Sequence, residues 1–383
     1  MITLKGVFLK VRKILGIQPK APQSYIISDI GAKKWAYISY VIDAFWDNNN
    51  LNVHQNRREA IIINRIFNEL GYNTYFHDYL NHDYRWLKKY KFDIVFGHDP
   101  NMAVLSKMFP NALKIYYSTG SSREHQNREV VTRTDEFNRK YNANIPYKPL
   151  IPLFHGPEIA DAIIQIGTIE TVNTFVEEIR PKFHTIHQST TEAIRLPKQL
   201  SLSRNSFLLL TSAGNLFRGV QYVIDYFIAH PEYQLHWVGT AEEAVIEAYN
   251  NTISSNIHIH GFMDTTSDDF LDIVSNCSFF LYPSNSEGGA SGCVLLCMKL
   301  GLIPIITHWI RLIDFDSQYI LRDCSIEGID EAMDWVQGLT DEQIHTMRDN
   351  CRHYIEDNYT LQTFEDDFRK ALTTIIQNWE SGV

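Results

Sequence analysis

The stretch PSNSEGGASGCVLLCMKLGLIP (283–304) decides the architecture. An apolar run, SFFLYPS (278–284), leads into it and predicts a strand ending at Ser284. Three glycines follow closely, and an apolar helix is predicted from about Ser291 to Leu300, stopped by Gly301. A strand, a glycine-rich turn and a helix in that order make one half of a parallel α/β unit. The unpaired amides and dipole at the helix start make an anion site. Gly288, Gly289 and Gly292, with Ala290 and Ser291 between them, would let a diphosphate approach the backbone without Cβ obstruction. Glu287 at the mouth of the turn can accept hydrogen bonds from sugar hydroxyls. The competing explanation is a tight strand-to-helix turn that holds no ligand.

The same rhythm runs outward in both directions. Upstream, FLLLTSAG (207–214), YQLHWVG (233–239) and NIHIHGF (256–262) read as strands. VQYVIDYFIAH (220–230), AEEAVIEAYNN (241–251) and FLDIVSNC (270–277) read as helices. LIPIIT (302–307) adds a strand after the turn. Earlier, YIISDI (25–30), NTYFHDY (73–79), FDIVFG (92–97), KIYYST (114–119), DAIIQIG (161–167) and KFHTIH (182–187) are strand runs. A helix is expected over 59–72, ending at Gly71. The polar segment 190–206 lacks a clean period and separates the two sets. The expected fold class is therefore α/β, with two Rossmann-like parallel-sheet domains facing across a cleft. The expected units are 22–190, 191–359 and a final helix, 360–383, returning to the first domain.

A length of 383 residues suits two domains of ordinary size. A formal net charge of -10 argues against nucleic acid as a partner, since that needs a basic face. Cys277, Cys293, Cys297, Cys324 and Cys351 lack zinc-site spacing and read as reduced thiols, which implies a cytoplasmic setting. Residues 1–16, MITLKGVFLKVRKILG, interleave an apolar stripe with Lys5, Lys10, Arg12 and Lys13. That pattern fits a helix on an anionic membrane at the inner face, or one docked on the protein's own core. Residues 18–23 read as the linker after it.

The segment 283–304, with GFMDTTSDDFLDIVSNCSFFLYPS (261–284) before it, resembles the donor-binding signature of the family 4 glycosyltransferases and their relatives. The resemblance covers 207–310 well and the first domain loosely. It implies the GT-B fold, a nucleotide-diphosphate-sugar substrate such as a UDP- or GDP-sugar, no cofactor, no obligatory metal and retention of anomeric configuration. Its acceptor would be a glycan, a lipid-linked molecule or a cell-surface polysaccharide. Glu287 matches the first of the family's paired glutamates. The second falls on Leu295, or on Leu296 with one inserted residue, and neither can bind a ribose through a carboxylate.

The loop SAGNLFRG (212–219) resembles the family's first donor-domain loop, with Gly214, Asn215 and Gly219 around Arg218, whose guanidinium would clamp a diphosphate. Asn215 stands where the family has an arginine. Phe262 and Met263 match the place where the base lies. FDIVFGHDP (92–100) resembles the family strand end that brings His98 and Asp99 to the cleft as catalytic candidates. STGS (118–121) carries Gly120 where many members have a histidine; with Ser121 it would instead receive an acceptor phosphate. His54, Asn56, Arg57 and Glu59 form a polar cluster before the first long helix, either as acceptor contacts or as caps and surface charge. Two other functions compete: a sugar-nucleotide 2-epimerase on the same fold, and a non-catalytic nucleotide-sugar-binding subunit.

Overall fold

The structure is a computed structural model that describes residues 25–46, 51, 54–191, 194–197 and 200–382. The expectations for residues 1–16 and for the linker 18–23 lie outside the described residues.

The first sheet holds β1 (Tyr25–Ser28), β2 (Lys34–Tyr40), β3 (Tyr72–Asp78), β4 (Ile94–Gly97), β5 (Leu113–Ser118), β6 (Ala162–Ile166) and β7 (Phe183–Ile186). Its spatial order is β1-β3-β2-β4-β5-β6-β7. All neighbours are parallel except β1, which pairs antiparallel with β3. The sheet is parallel as expected, with this one antiparallel strand at its edge. Residues 29–33 are too few for the crossover of a dozen or more that a parallel strand would need. Strand β2 is absent from the sequence expectations, yet it is the central strand. Its residues 36–40 are all buried, so KWAYISY shows no alternation between a wet and a dry face.

The second sheet holds β8 (Ser206–Thr211), β9 (Gln234–Gly239), β10 (Ile257–Gly261), β11 (Phe279–Tyr282), β12 (Ile303–Thr307) and β13 (Tyr319–Leu321). Its order is β10-β9-β8-β11-β12-β13, all parallel. That is the doubly wound order, in which strand succession reverses beside the first strand and opens a crevice at the carboxyl ends. The reversals fall between β2 and β4 in one sheet and between β8 and β11 in the other. Residues just past those strand ends, Val41, His98 and Ser212, line one shared cavity.

Two helices tie the halves together. Helix Arg123–Tyr141 leaves the first sheet, but Phe137 on its last turns joins the core of the second. Arg133 on that helix, 2% exposed, donates to the carbonyls of Phe217 (3.0 Å) and Pro283 (2.9 Å). The last helix, Leu361–Ser381, places Phe364, Phe368, Leu372 and Ile376 at four-residue spacing against the first sheet. Each such side chain, when buried, contributes about 1.5–3 kcal/mol. Where the chain crosses back, Thr190 N donates to Tyr359 O at 2.9 Å, pairing the two interdomain crossings.

Candidate functional site

A cavity of about 780 Å³ lies between the two sheets, with an adjoining lobe of about 360 Å³. His98, Asp99, Tyr116, Arg218, Glu287 and Gly288 border both.

On the second-domain wall, β11 ends at Tyr282 and delivers Glu287 five residues later. Glu287 Oε1 accepts from Tyr282 Oη (2.9 Å) and Ser284 Oγ (3.2 Å), and lies 3.2 Å from Arg218 Nε. Arg218 Nε also donates to Tyr282 Oη at 3.0 Å, closing a triangle, and Nη1 donates to Ala213 O. Burial opposes the charge on Arg218, but Glu287 and Tyr282 outweigh it and raise the guanidinium's pKa. Beside this triangle, helix Gly292–Lys299 begins. Its N-cap, Ser291, makes no capping bond through its side chain, and Ser291, Gly292 and Cys293 line the cavity. A cation and a helix start on one wall suit a diphosphate.

The glycines of the turn do something other than expected. A Cβ on Gly288 would sit 2.4 Å from Thr119 O, and one on Gly289 (φ +74°) 2.9 Å from Gly167 Cα. Their missing side chains let the first domain's backbone close on the turn, while Gly288 still borders both cavities and Gly292 the larger one. Gly120 and Glu287 form an antiparallel bridge across this seam. Ser121 Oγ donates to Ser286 O (3.1 Å), His125 Nε2 to Asn285 O (2.7 Å), and Gln188 Nε2 to Ala290 O. Gly289 and Ala290 therefore belong to the seam rather than to the cavity wall.

The earlier loop is likewise braced internally. Asn215, fully buried, donates to Thr240 O (2.8 Å) and accepts from Glu242 N (2.8 Å). The Glu242 carboxylate takes the amides of Gly214 and Asn215 at 3.0 Å each. Gly219 (φ +79°) packs against Pro283 O, where a Cβ would come within 2.7 Å. Of this loop's four donor candidates, Arg218 alone borders the cavity; Gly214, Asn215 and Gly219 shape the turn that aims it. Phe262, 87% exposed, and Met263 border the cavity's rim. Leu295 is fully buried in the core, whereas Leu296 faces the cavity.

The first-domain wall is aromatic and largely neutral. His98 lies among Tyr40, Tyr116 and Tyr117, with ring centroids 5.2–6.5 Å away, and burial pushes its pKa down to about 4. Asp99 is occupied by the fold: Oδ2 accepts from Gly156 N (2.9 Å) and Oδ1 from Ala103 N (3.3 Å). Burial raises its pKa. His54 is the N-cap of helix Gln55–Glu69, its Nδ1 accepting from Asn56 N at 3.2 Å. His54 and Asn56 border the large cavity, and Gly120 and Ser121 the smaller lobe. Arg57 turns away and pairs with Asp43 at 3.2 Å, so it is no part of the wall.

Glu59 is 1% exposed, with Oε1 accepting from Ser189 N (2.9 Å) and Ser189 Oγ (2.8 Å). Burial outweighs those bonds and lifts its pKa to about 7. Cavity residues that the sequence reading did not single out are Tyr40, Tyr116, Gln188, Ser189 and Tyr282. Of these, Tyr282 ends a strand visible in the sequence, whereas no local pattern marks Tyr40, Gln188 or Ser189. Among the described residues, no group of three or more His, Cys, Asp or Glu side chains is gathered as a metal ion would require. Nor is any helix among them long and apolar enough to cross a membrane.

No protein-family model and no curated protein matches this chain. Solved structures do. Sucrose-phosphate synthase from Thermosynechococcus elongatus aligns over 90% of this chain and 100% of its own, with a TM-score of 0.60 at 9% identity. HepE from Anabaena, solved with UDP, aligns over 89% and 100%, with a TM-score of 0.57 at 9% identity. A TarM variant from S. aureus, in complex with fondaparinux, α-GlcNAc-glycerol and UDP, aligns over 78% of this chain with a TM-score of 0.52 at 12% identity. This chain spans 59% of that TarM chain. Two doubly wound domains around one cleft, shared with these proteins, define the GT-B fold of the glycosyltransferases.

Proposed function

We propose that this chain is a glycosyltransferase that moves a sugar from a nucleotide-diphosphate sugar, such as a UDP- or GDP-sugar, to a glycan acceptor, lipid-linked or at the cell surface. The observation that carries this reading is the Arg218–Tyr282–Glu287 triangle beside the start of helix Gly292–Lys299, facing an aromatic wall across the cleft. The unpaired amides at the start of helix Gly292–Lys299, with the Arg218 guanidinium whose charge Glu287 in part balances, would stabilise the departing diphosphate. Glu287, held at Oε1, would orient the donor sugar's hydroxyls. His98, kept neutral, would accept or donate a single hydrogen bond to the acceptor rather than present a cation. Enclosure between the domains would exclude the water that otherwise hydrolyses the donor.

The GT-B architecture and the UDP held by HepE and TarM support a nucleotide-sugar substrate. Retention, independence from metal and a cytoplasmic location at the membrane through residues 1–16 are part of the same proposal. Incubation of purified protein with UDP- and GDP-sugars in EDTA tests it, with free nucleotide diphosphate quantified with and without added glycan. Glycan-stimulated release without metal is expected. Binding without release or transfer would leave a non-catalytic binding subunit, and isomerised donor would leave an epimerase. Loss of liposome co-sedimentation on deleting 1–16 is the expected sign of membrane docking.

A further inference from the structure

The smaller lobe of the cleft, about 360 Å³, has two unlike sides. One carries groups shared with the larger cavity, among them His98, Arg218 and Glu287, together with the polar turn 118–121. The other is a strap, residues 149–157, downstream of helix Arg123–Tyr141. It lines the lobe with Pro149, Ile151, Pro152, Phe154 and Pro157, and Phe175 and Phe217 continue that apolar side.

The strap is apolar toward solvent as well. Leu150 is 47% exposed and Leu153 62%, and Val176 beside Phe175 is 56% exposed. Each stands next in the chain to a residue that lines the lobe. The strap is also held in place. Asn127 Nδ2 donates to Ile151 O at 2.9 Å, and Asn127 Oδ1 accepts from Ile151 N at 2.8 Å. Arg123 Nε donates to the same carbonyl at 3.2 Å, and Asp99 Oδ2 accepts from Gly156 N at 2.9 Å. Leu153 therefore projects from between two fixed points. Single exposed apolar side chains are ordinary, but three around the mouth of one cavity form a patch that a ligand or partner would cover.

The lobe's charges disfavour an anion. Asp99, Glu124, Glu158 and Glu287 line it against Arg123 and Arg218, which already pair with Glu124 (2.8 Å) and Glu287 (3.2 Å). Ser121 Oγ donates to Ser286 O, so the acceptor phosphate expected at Gly120 and Ser121 finds no excess of positive charge and no free hydroxyl proton. Because the lobe opens directly from His98 and Glu287, whatever covers the strap is continuous with the acceptor's position.

We infer that the acceptor is an uncharged amphiphile, whose hydroxyl head lies at His98 and Glu287 and whose apolar chain runs through the smaller lobe and out across Leu150 and Leu153. This rests on the glycosyltransferase reading of the cleft, and it narrows the acceptor to a lipid-linked one with no phosphate beside the reacting sugar.

The test is an NMR titration of the full chain, saturated with UDP, with methyl, hexyl and octyl β-glucosides, each below its critical micelle concentration. Affinity should rise with chain length, octyl over methyl by at least about tenfold, the gain from sheltering about two methylenes. Leu150→Asp combined with Leu153→Asp alters only exposed positions and should cut that ratio below about threefold. Ile326→Asp, at an exposed apolar position outside the lobe, should leave the ratio unchanged. UDP affinity, measured in the same samples, reports that each variant is folded. A ratio near one in the wild type, no binding of any glucoside to the UDP-bound protein, or a ratio lost equally in Ile326→Asp would overturn the assignment. A dimer that depends on Leu153, without any chain-length gain, would give the strap to a second copy instead. Failure of UDP itself to bind would overturn the underlying reading of the cleft, and the wild-type titration shows that separately.

Discussion

The two walls of the cleft handle burial of polar groups in opposite ways. On the second-domain side, Arg218 stays charged because Glu287 and Tyr282 compensate its desolvation within one triangle. On the first-domain side, burial drives His98 and Glu59 toward their neutral forms, to pKa values of about 4 and about 7. One wall is thus built to meet charge and the other to meet hydroxyls. A glycosyl transfer needs both, a diphosphate held on one side and an alcohol presented on the other. The wall's character follows from whether compensation arrives from an opposite charge or from the loss or gain of a proton.

On the neutral wall the largest expected effect lies at Glu59. Its folded pKa lies above the ordinary carboxylate value of 4.5, so its contribution is most favourable below pH 4.5 and is lost as pH rises toward 7. A shift of that size corresponds to about 3 kcal/mol at most, at about 1.36 kcal/mol per pH unit. Urea unfolding at pH 5 and pH 8 should therefore show Glu59→Gln gaining stability relative to wild type at the higher pH. Parallel profiles would mean the first-domain wall is not held neutral.

The charged wall is sharpened by Glu287→Gln. The substitution keeps the shape but weakens charge-assisted bonds of about 1.5–3 kcal/mol each. Sugar transfer should drop roughly tenfold to a hundredfold, since about 1.4 kcal/mol is a factor of ten. Wild-type turnover in that variant would remove Glu287 from the proposed site. The seam between the walls sets a large effect beside the smallest one. Gly288→Ala drives a Cβ to 2.4 Å from Thr119 O, a backbone atom that cannot swing aside, and should cost about 2–3 kcal/mol, the upper part of the overpacking range. Gly120→Ala, across the same seam, meets nothing within 4 Å and should stay within about 0.5 kcal/mol. Thermal unfolding of the pair distinguishes a seam from a loose turn.

Much of this was legible in sequence where the local rule and the tertiary role coincide. Helix Gly292–Lys299 with its N-cap at Ser291 is set by an apolar run between glycines. Glu287 and Arg218 are visible because a charged side chain stands beside a turn at a strand end. Strand β2 was not legible, because burial on both faces erases the period that identifies a half-buried strand. Helix Arg123–Tyr141 was hidden by its polarity: REHQNREVVTRTDEFNRKY packs Arg133 and Phe137 against the second domain, a contact no local pattern announces. Glycines in a strand-to-helix turn announce a close approach, but a sequence cannot say whether ligand or backbone makes it. Asp99 and Asn215 carry the polar character of site residues and spend it on backbone amides and carbonyls of the fold.

Calorimetric titration of UDP and GDP into the metal-free protein in EDTA, alongside Arg218→Ala, shows whether Arg218 and the helix start hold a diphosphate. Saturable one-to-one binding of at least one nucleotide diphosphate to the wild type is expected, with an affinity at least tenfold weaker in Arg218→Ala and preserved in Glu287→Gln. No binding by either nucleotide, or binding that appears only on adding a divalent metal and is indifferent to Arg218, would rule out a diphosphate site on that wall.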